Sequence, residues 1–203
     1  MGNVAHAITD LLLGLVTLAC ATSLLRVPGV DRSWHLTFWF AGASALAGAA
    51  HHGLFHAGWS WTVVGVLIVL AISYLLIASA REILSARGVR IVVVVRGVGV
   101  TAYGVGVVLG ETGLLVLLLS ESLTMACILG LWLYAARVGH RMAMPMTAAI
   151  LAYVLAGIAF VLPSTLTAPI GLDSTSLSHL AQIPGVLLFY RAVARHARPR
   201  RSR

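Results

Sequence analysis

The chain has 203 residues, of which 60% are apolar and 10% charged, and its mean hydropathy is +0.97. Soluble domains carry roughly a quarter charged residues, so this composition excludes an ordinary soluble domain and predicts a chain that dissolves in lipid. The net charge of +8 comes from 14 basic residues, all of them arginine; without lysine no retinal or pyridoxal Schiff base can form, because that chemistry needs a lysine amine.

Seven continuous apolar segments are predicted as transmembrane helices, at about 5–25, 35–56, 60–80, 91–109, 113–136, 146–163 and 176–195. Each is near the ~20 residues that cross the hydrocarbon. Their continuity excludes outer-membrane barrel strands, which alternate with period two. The fold class is therefore an all-α polytopic membrane protein. Residues 1–195 form a single seven-helix domain and 196–203 a basic cytoplasmic tail.

The first segment has no basic residue before it and reads as a retained span rather than a cleavable signal peptide. His6, Asp10, Gly14 and Thr17 share one of its faces by their three- and four-residue spacing. The second ends in His51, His52 and His56, with Ser44, Gly48, His52 and His56 as one expected stripe. Trp59 and Trp61 precede or open the third. The fourth is glycine-rich and carries Arg96, expected to snorkel back to the basic side. The fifth holds Glu121, for which no arginine is expected at its depth; it is predicted protonated, or bound to a cation or histidine. Asp173 reads as the N-cap of the seventh, which carries His179 and Gln182 and is expected to kink at Pro184. Cys20 and Cys127 read as unpaired residues within apolar runs.

The arginines fix an expected orientation. All but Arg96 lie between the first and second segments, the third and fourth, the fifth and sixth, or at and after the end of the seventh. Seven spans put these on one side, with Arg96 a turn or two into the fourth from that side. By the positive-inside rule the N-terminus is outside and the C-terminus cytoplasmic, in the inner membrane of a bacterium. Net charge is then a consequence of topology, and no nucleic acid is expected as a partner. The basic tail can also touch anionic lipid.

Ionisable residues inside membrane segments are functional candidates because burying them is costly. Here His6, Asp10, His51, His52, His56, Glu111, Glu121, Asp173 and His179 all fall in the outer half, and only His35, His140 and His196 accompany the arginines. Imidazole and carboxylate groups converging at one depth have the composition of a zinc site with an open position. His52, His179, Asp10, His56 and His6 are the candidate ligands, and Asp10 and Glu121 the candidate acid–base groups. His6 and His56 also suit interfacial anchors.

Three stretches carry a family resemblance: Thr9-Asp10 with its leucine-rich turns; the small-residue run ending in His52-Gly53, then Trp61; and Ser178-His179-Leu180-Ala181-Gln182 before Phe189-Tyr190-Arg191. Together they resemble uncharacterised bacterial seven-helix membrane proteins and, more distantly, the superfamily of alkaline ceramidases and progestin/adiponectin receptors. The resemblance implies zinc held by one histidine of the second helix and two of the seventh, matched here by His52 and His179. The second histidine of the last helix has no counterpart, since Thr175 and Ile183 stand four residues either side of His179. Asp10, His6 or His56 would then complete the shell.

Two functions follow as expectations. One is a zinc-dependent hydrolase of a lipid amide or ester, with membrane lipid as the substrate source. The other is a non-enzymatic haem- or metal-binding membrane protein, or an accessory subunit whose polar cluster serves packing. A homo-oligomer or a partner membrane subunit is compatible with both.

Overall fold

Apolar runs of this length satisfy their backbone polar groups internally in the only way open to a single segment, as helices. The computed structural model describes residues 2–110, 114–167, 169 and 171–197, and among these it is all-helical, with no strand. The helices are α1 Gly2–Leu24, α2 Arg32–Ala50, α3 Gly58–Ile83, α4 Ala86–Val108, α5 Leu114–Arg137, α6 Ala143–Phe160, the four-residue α7 Ser164–Thr167, and α8 Ser174–Ala197. Five of them contain stretches long and apolar enough to cross a membrane: α1, α3, α4, α5 and α6. The long helices α2 and α8 are more polar. Glu111 and residues 198–203 of the basic tail lie outside the described residues.

Local chemistry sets several ends. Asp31 starts α2 by accepting the Ser33 N–H at 2.8 Å. Arg81 at the end of α3 donates to both Asp31 oxygens at 3.1 Å, tying that cap to the neighbouring helix. The α8 helix runs through Pro184 without interruption. The second predicted span departs from expectation at its end: α2 stops at Ala50 and a π-helical turn covers His51–Phe55, closed by His56 in the left-handed region at φ 48°. The wider turn breaks the 3.6-residue repeat, so the expected stripe through Gly48, His52 and His56 is not continuous.

The helices pack most extensively in the pairs α6–α8, α1–α2, α2–α3 and α1–α8. Glycines make the α1–α2 approach close. A Cβ on Gly42 would lie 2.6 Å from Leu18, and one on Gly14 would lie 2.7 Å from Leu46, so each helix seats a leucine of the other. One level higher, a Cβ on Gly48 would lie 2.7 Å from Asp10 Oδ2. The fully buried large residues Trp34, Trp132, Leu24, Ile128 and Met146 fill the arginine-bearing half. There the Trp132 indole N–H donates to Ser79 Oγ at 3.0 Å.

By contrast α4 is scarcely covered, and Arg96 is its one buried residue among those described. Arg96 does not snorkel. Its Nη2 donates to both Glu121 oxygens at 2.8 and 2.9 Å, its Nη1 to Thr124 Oγ1 at 2.8 Å, and its Nε to Ser73 Oγ at 2.8 Å. Glu121 therefore has an arginine at its own depth, contrary to expectation. The reason is geometric: α4 turns the guanidinium inward to where α3 and α5 present polar atoms, and a bidentate carboxylate there offsets its desolvation.

Candidate functional site

The N-terminal ends of α1, α3 and α8 meet the C-terminal end of α2, and these four termini carry the predicted histidines. Asp10 lies at the centre, 6% exposed. Its Oδ1 is 3.3 Å from His179 Nδ1, and its Oδ2 is 3.8 Å from His52 Nε2. The second distance is too long for a hydrogen bond. The bare face of Gly48 leaves room for the carboxylate between α1 and α2.

Oxygen atoms orient three of the imidazoles. The Thr9 hydroxyl donates to the carbonyls of Ala5 and His6, at 3.0 and 3.1 Å, so its lone pair faces His179 Nδ1 at 3.2 Å. That makes Nδ1 of His179 the donor toward Thr9 and Asp10. Ser60 likewise donates to the Ala57 carbonyl at 2.7 Å and accepts from His51 Nδ1 at 2.8 Å. His6 Nε2 donates to Asp173 Oδ1 at 2.7 Å. His52 sits among these rings, its centroid 5.1 Å from both His6 and His51 and edge-on to each.

Asp173 serves two helices. It caps α8 through the Ser176 N–H and hydroxyl, both at 2.9 Å, and fastens α1 through His6. Burial by itself raises its pKa, but the Ser176 and His6 hydrogen bonds and the charge of His6 outweigh that and lower it from 3.8 to about 2. A carboxyl depressed on folding adds stability above its unfolded value, and the gain is lost as pH falls from about 4 through about 2. Asp173→Asn is therefore expected to lower the thermal midpoint near neutral pH and to matter progressively less in acid. Melting curves of both proteins across that range provide the check, and a difference that stays constant with pH would contradict it.

Of the predicted ligands, Asp10, His52 and His179 are brought together, and His6 joins them against His52. His56 stands at the exposed rim, its ring 6.5 Å from that of His51. Glu121 is on α5, occupied by Arg96, and none of the contacts described above links it to the histidines. Sequence reasoning placed His51 in the outer half but did not assign it a role; Thr9 and Ser60 were missed as orienting groups. Thr9 adjoins Asp10, a local signal, whereas Ser60 is identified only by the turn that brings α3 back beside His51. Among the described residues, no three His, Cys, Asp or Glu side chains are arranged so as to hold a metal ion.

No curated protein and no solved structure matches the chain. Residues 5–198 match a family described as the family of unknown function DUF6962. That match includes every residue of the histidine cluster, from His6 to His179, and the chain belongs to this family.

Proposed function

We propose that this is a seven-span membrane protein, N-terminus outside and arginine end cytoplasmic, whose outer histidine–aspartate cluster binds a transition-metal cation of the zinc class. The spanning part is supported by the apolar helices and by the arginines gathered at one end of the helices. The observation that carries the site is the anchoring of imidazoles by oxygen. His6, His51 and His179 each direct one ring nitrogen to a carboxylate or hydroxyl, and the opposite nitrogen makes no hydrogen bond among the described residues. Metal-binding histidines are oriented in this way by their outer-shell partners.

The donor chemistry fits zinc: neutral imidazole and carboxylate are its usual nitrogen and oxygen ligands. The imidazoles of His52 and His179 would hold it, with Asp10 either joining them or orienting them, and His6 or His51 completing the set. The side chains as they stand do not converge on one point, and His52 is not held to Asp10 by a hydrogen bond, their separation being 3.8 Å. Held by these residues, zinc would supply a positive charge beside the buried Asp10 carboxylate and Lewis-acid chemistry at the cluster.

A second reading, hydrolysis of a lipid amide or ester, is favoured by the Asp10–His179 pair beside an apolar groove. In such a pair the carboxylate fixes the imidazole and stabilises its protonated form, leaving the opposite nitrogen to take a proton from water. A groove of about 440 Å³ runs along α1 and α2 next to the cluster, lined by Ala7, Leu11, Leu46, Ala50, Gly53 and Leu54 among others.

The test is metal analysis of detergent-purified protein with competitive zinc titration. Stoichiometric zinc is expected in the wild type, and a loss of affinity of about 100-fold or more in His52→Ala/His179→Ala. Unchanged affinity in that double variant would overturn the metal reading, and a Soret band would identify haem instead. Turnover of a lipid amide that survives complete metal removal would favour the Asp10–His179 pair as a metal-independent base.

A further inference from the structure

We infer that the arginine-bearing end of the bundle binds the headgroups of anionic phospholipid in the leaflet it faces. The inference rests on the membrane-spanning reading above, and is independent of the histidine site. Its basis is an imbalance of charge that the fold leaves uncompensated. Only two acids, Asp31 and Glu82, lie at this end among the described residues, and both are already engaged. Asp31 caps α2 and pairs with Arg81. Glu82 lies 3.3 Å from His196 Nε2, and Arg141 is directed to the same histidine and its carbonyl at 3.4 Å.

The other described arginines at this end have no such partner. Arg26 and Arg32 flank the α1–α2 connection, Arg87 and Arg90 open α4, Arg137 closes α5, and Arg191 and Arg195 lie in the last two turns of α8. All seven are exposed, and among the described residues none takes part in an ion pair or hydrogen bond with another side chain. Each sits at a helix end, where the headgroup phosphates of a bilayer lie, and the planar guanidinium fork matches phosphate oxygens in a bidentate manner. Their distribution favours lipid over a protein partner. They are spread over the ends of five helices, and α4 packs on α3 and α5 rather than on α1, α2 or α8. Such an arrangement suits many separate small headgroups better than one docking partner.

The attraction of a basic side chain to an anionic leaflet corresponds to about a five-fold preference for each residue near the surface. Trp39 offers a reporter, since it is 39% exposed and lies two turns into α2 from this end. Full-length protein would be reconstituted into phosphatidylcholine vesicles, and tryptophan quenching compared for brominated phosphatidylglycerol and brominated phosphatidylcholine. A preference of five-fold or more for phosphatidylglycerol is expected in dilute buffer, collapsing toward unity in about 0.5 M salt as the charges are screened. The variant Arg26→Gln/Arg32→Gln/Arg87→Gln/Arg90→Gln should lose most of it, and the salt titration on wild type makes the same point should the variant fold poorly. Millimolar inorganic phosphate should leave the preference intact. Equal quenching by the two lipids, or displacement by inorganic phosphate, would overturn the proposal while leaving the spanning reading in place. Protein that fails to enter the vesicles would overturn both.

Discussion

Arg96→Leu is expected to destabilise the bundle by about 3–5 kcal/mol, the cost of leaving one member of a buried ion pair unpaired. The two side chains are each only 7% exposed. Removing the guanidinium strands Glu121, and also takes a donor from Ser73, Thr124 and the Val69 carbonyl, which Arg96 Nη2 approaches at 3.2 Å. The reciprocal Glu121→Leu should cost a similar amount for the same reason. Arg96→Leu/Glu121→Leu is expected to cost far less than the sum, because apolar groups of similar size bring no desolvation penalty. Equilibrium unfolding of the four proteins in a mixed detergent series measures the cycle. Additive single-variant effects would show that the pair does not act as a unit. Since Arg96 is the one described residue of α4 that is buried, the single variants should also loosen α4 first, seen as faster labelling of single cysteines introduced along that helix, which has none of its own.

Gly48→Ala is expected to cost about 1–3 kcal/mol and, beyond that, to disable the histidine site. The added methyl would lie 2.7 Å from Asp10 Oδ2, so the carboxylate must move away from His52 and His179. Gly42→Ala provides the control. Its methyl would meet Leu18 at 2.6 Å, a comparable steric insult on the same helix pair, but two turns from the carboxylate. Both variants should melt earlier than wild type, and only Gly48→Ala should lose zinc affinity to a greater degree than its stability loss explains. Equal zinc affinity in the two variants would mean that the place of Asp10 beside Gly48 is irrelevant to binding.

The histidine cluster and the ion pair show how differently two buried polar groups can be served by one bundle. Among the described residues Asp10 has no arginine beside it, and its neighbours are imidazoles. Glu121 has a guanidinium with its hydrogen bonds satisfied, an arrangement that holds helices together and leaves little capacity for chemistry. Depth alone did not separate them in the sequence. Glu121 is 25 residues from Arg96, and whether the two meet depends on the rotation of α4 about its own axis, which its nearly uniform valine and glycine surface does not specify. For the same reason the expectation that Arg96 would reach back to the interface was incorrect.

The apolar runs, the gathering of arginines at alternate connections, and the Asp173 cap were legible because each depends on composition or on residues within a turn of one another. Apolar length dictates helices in a medium without water, and a carboxylate three residues before a serine N–H finds it locally. The meeting of His6, Asp10, His52 and His179 was legible only as a shared depth. Which nitrogen faces which oxygen was decided by the tertiary structure: by the glycines that let α1 and α2 close, by the π turn that shifts His51 toward Ser60, and by the Asp173–His6 contact across 167 residues. Hydrophobic burial does not set direction, so a chain of greasy helices specifies its spans through local sequence and its polar geometry only through packing.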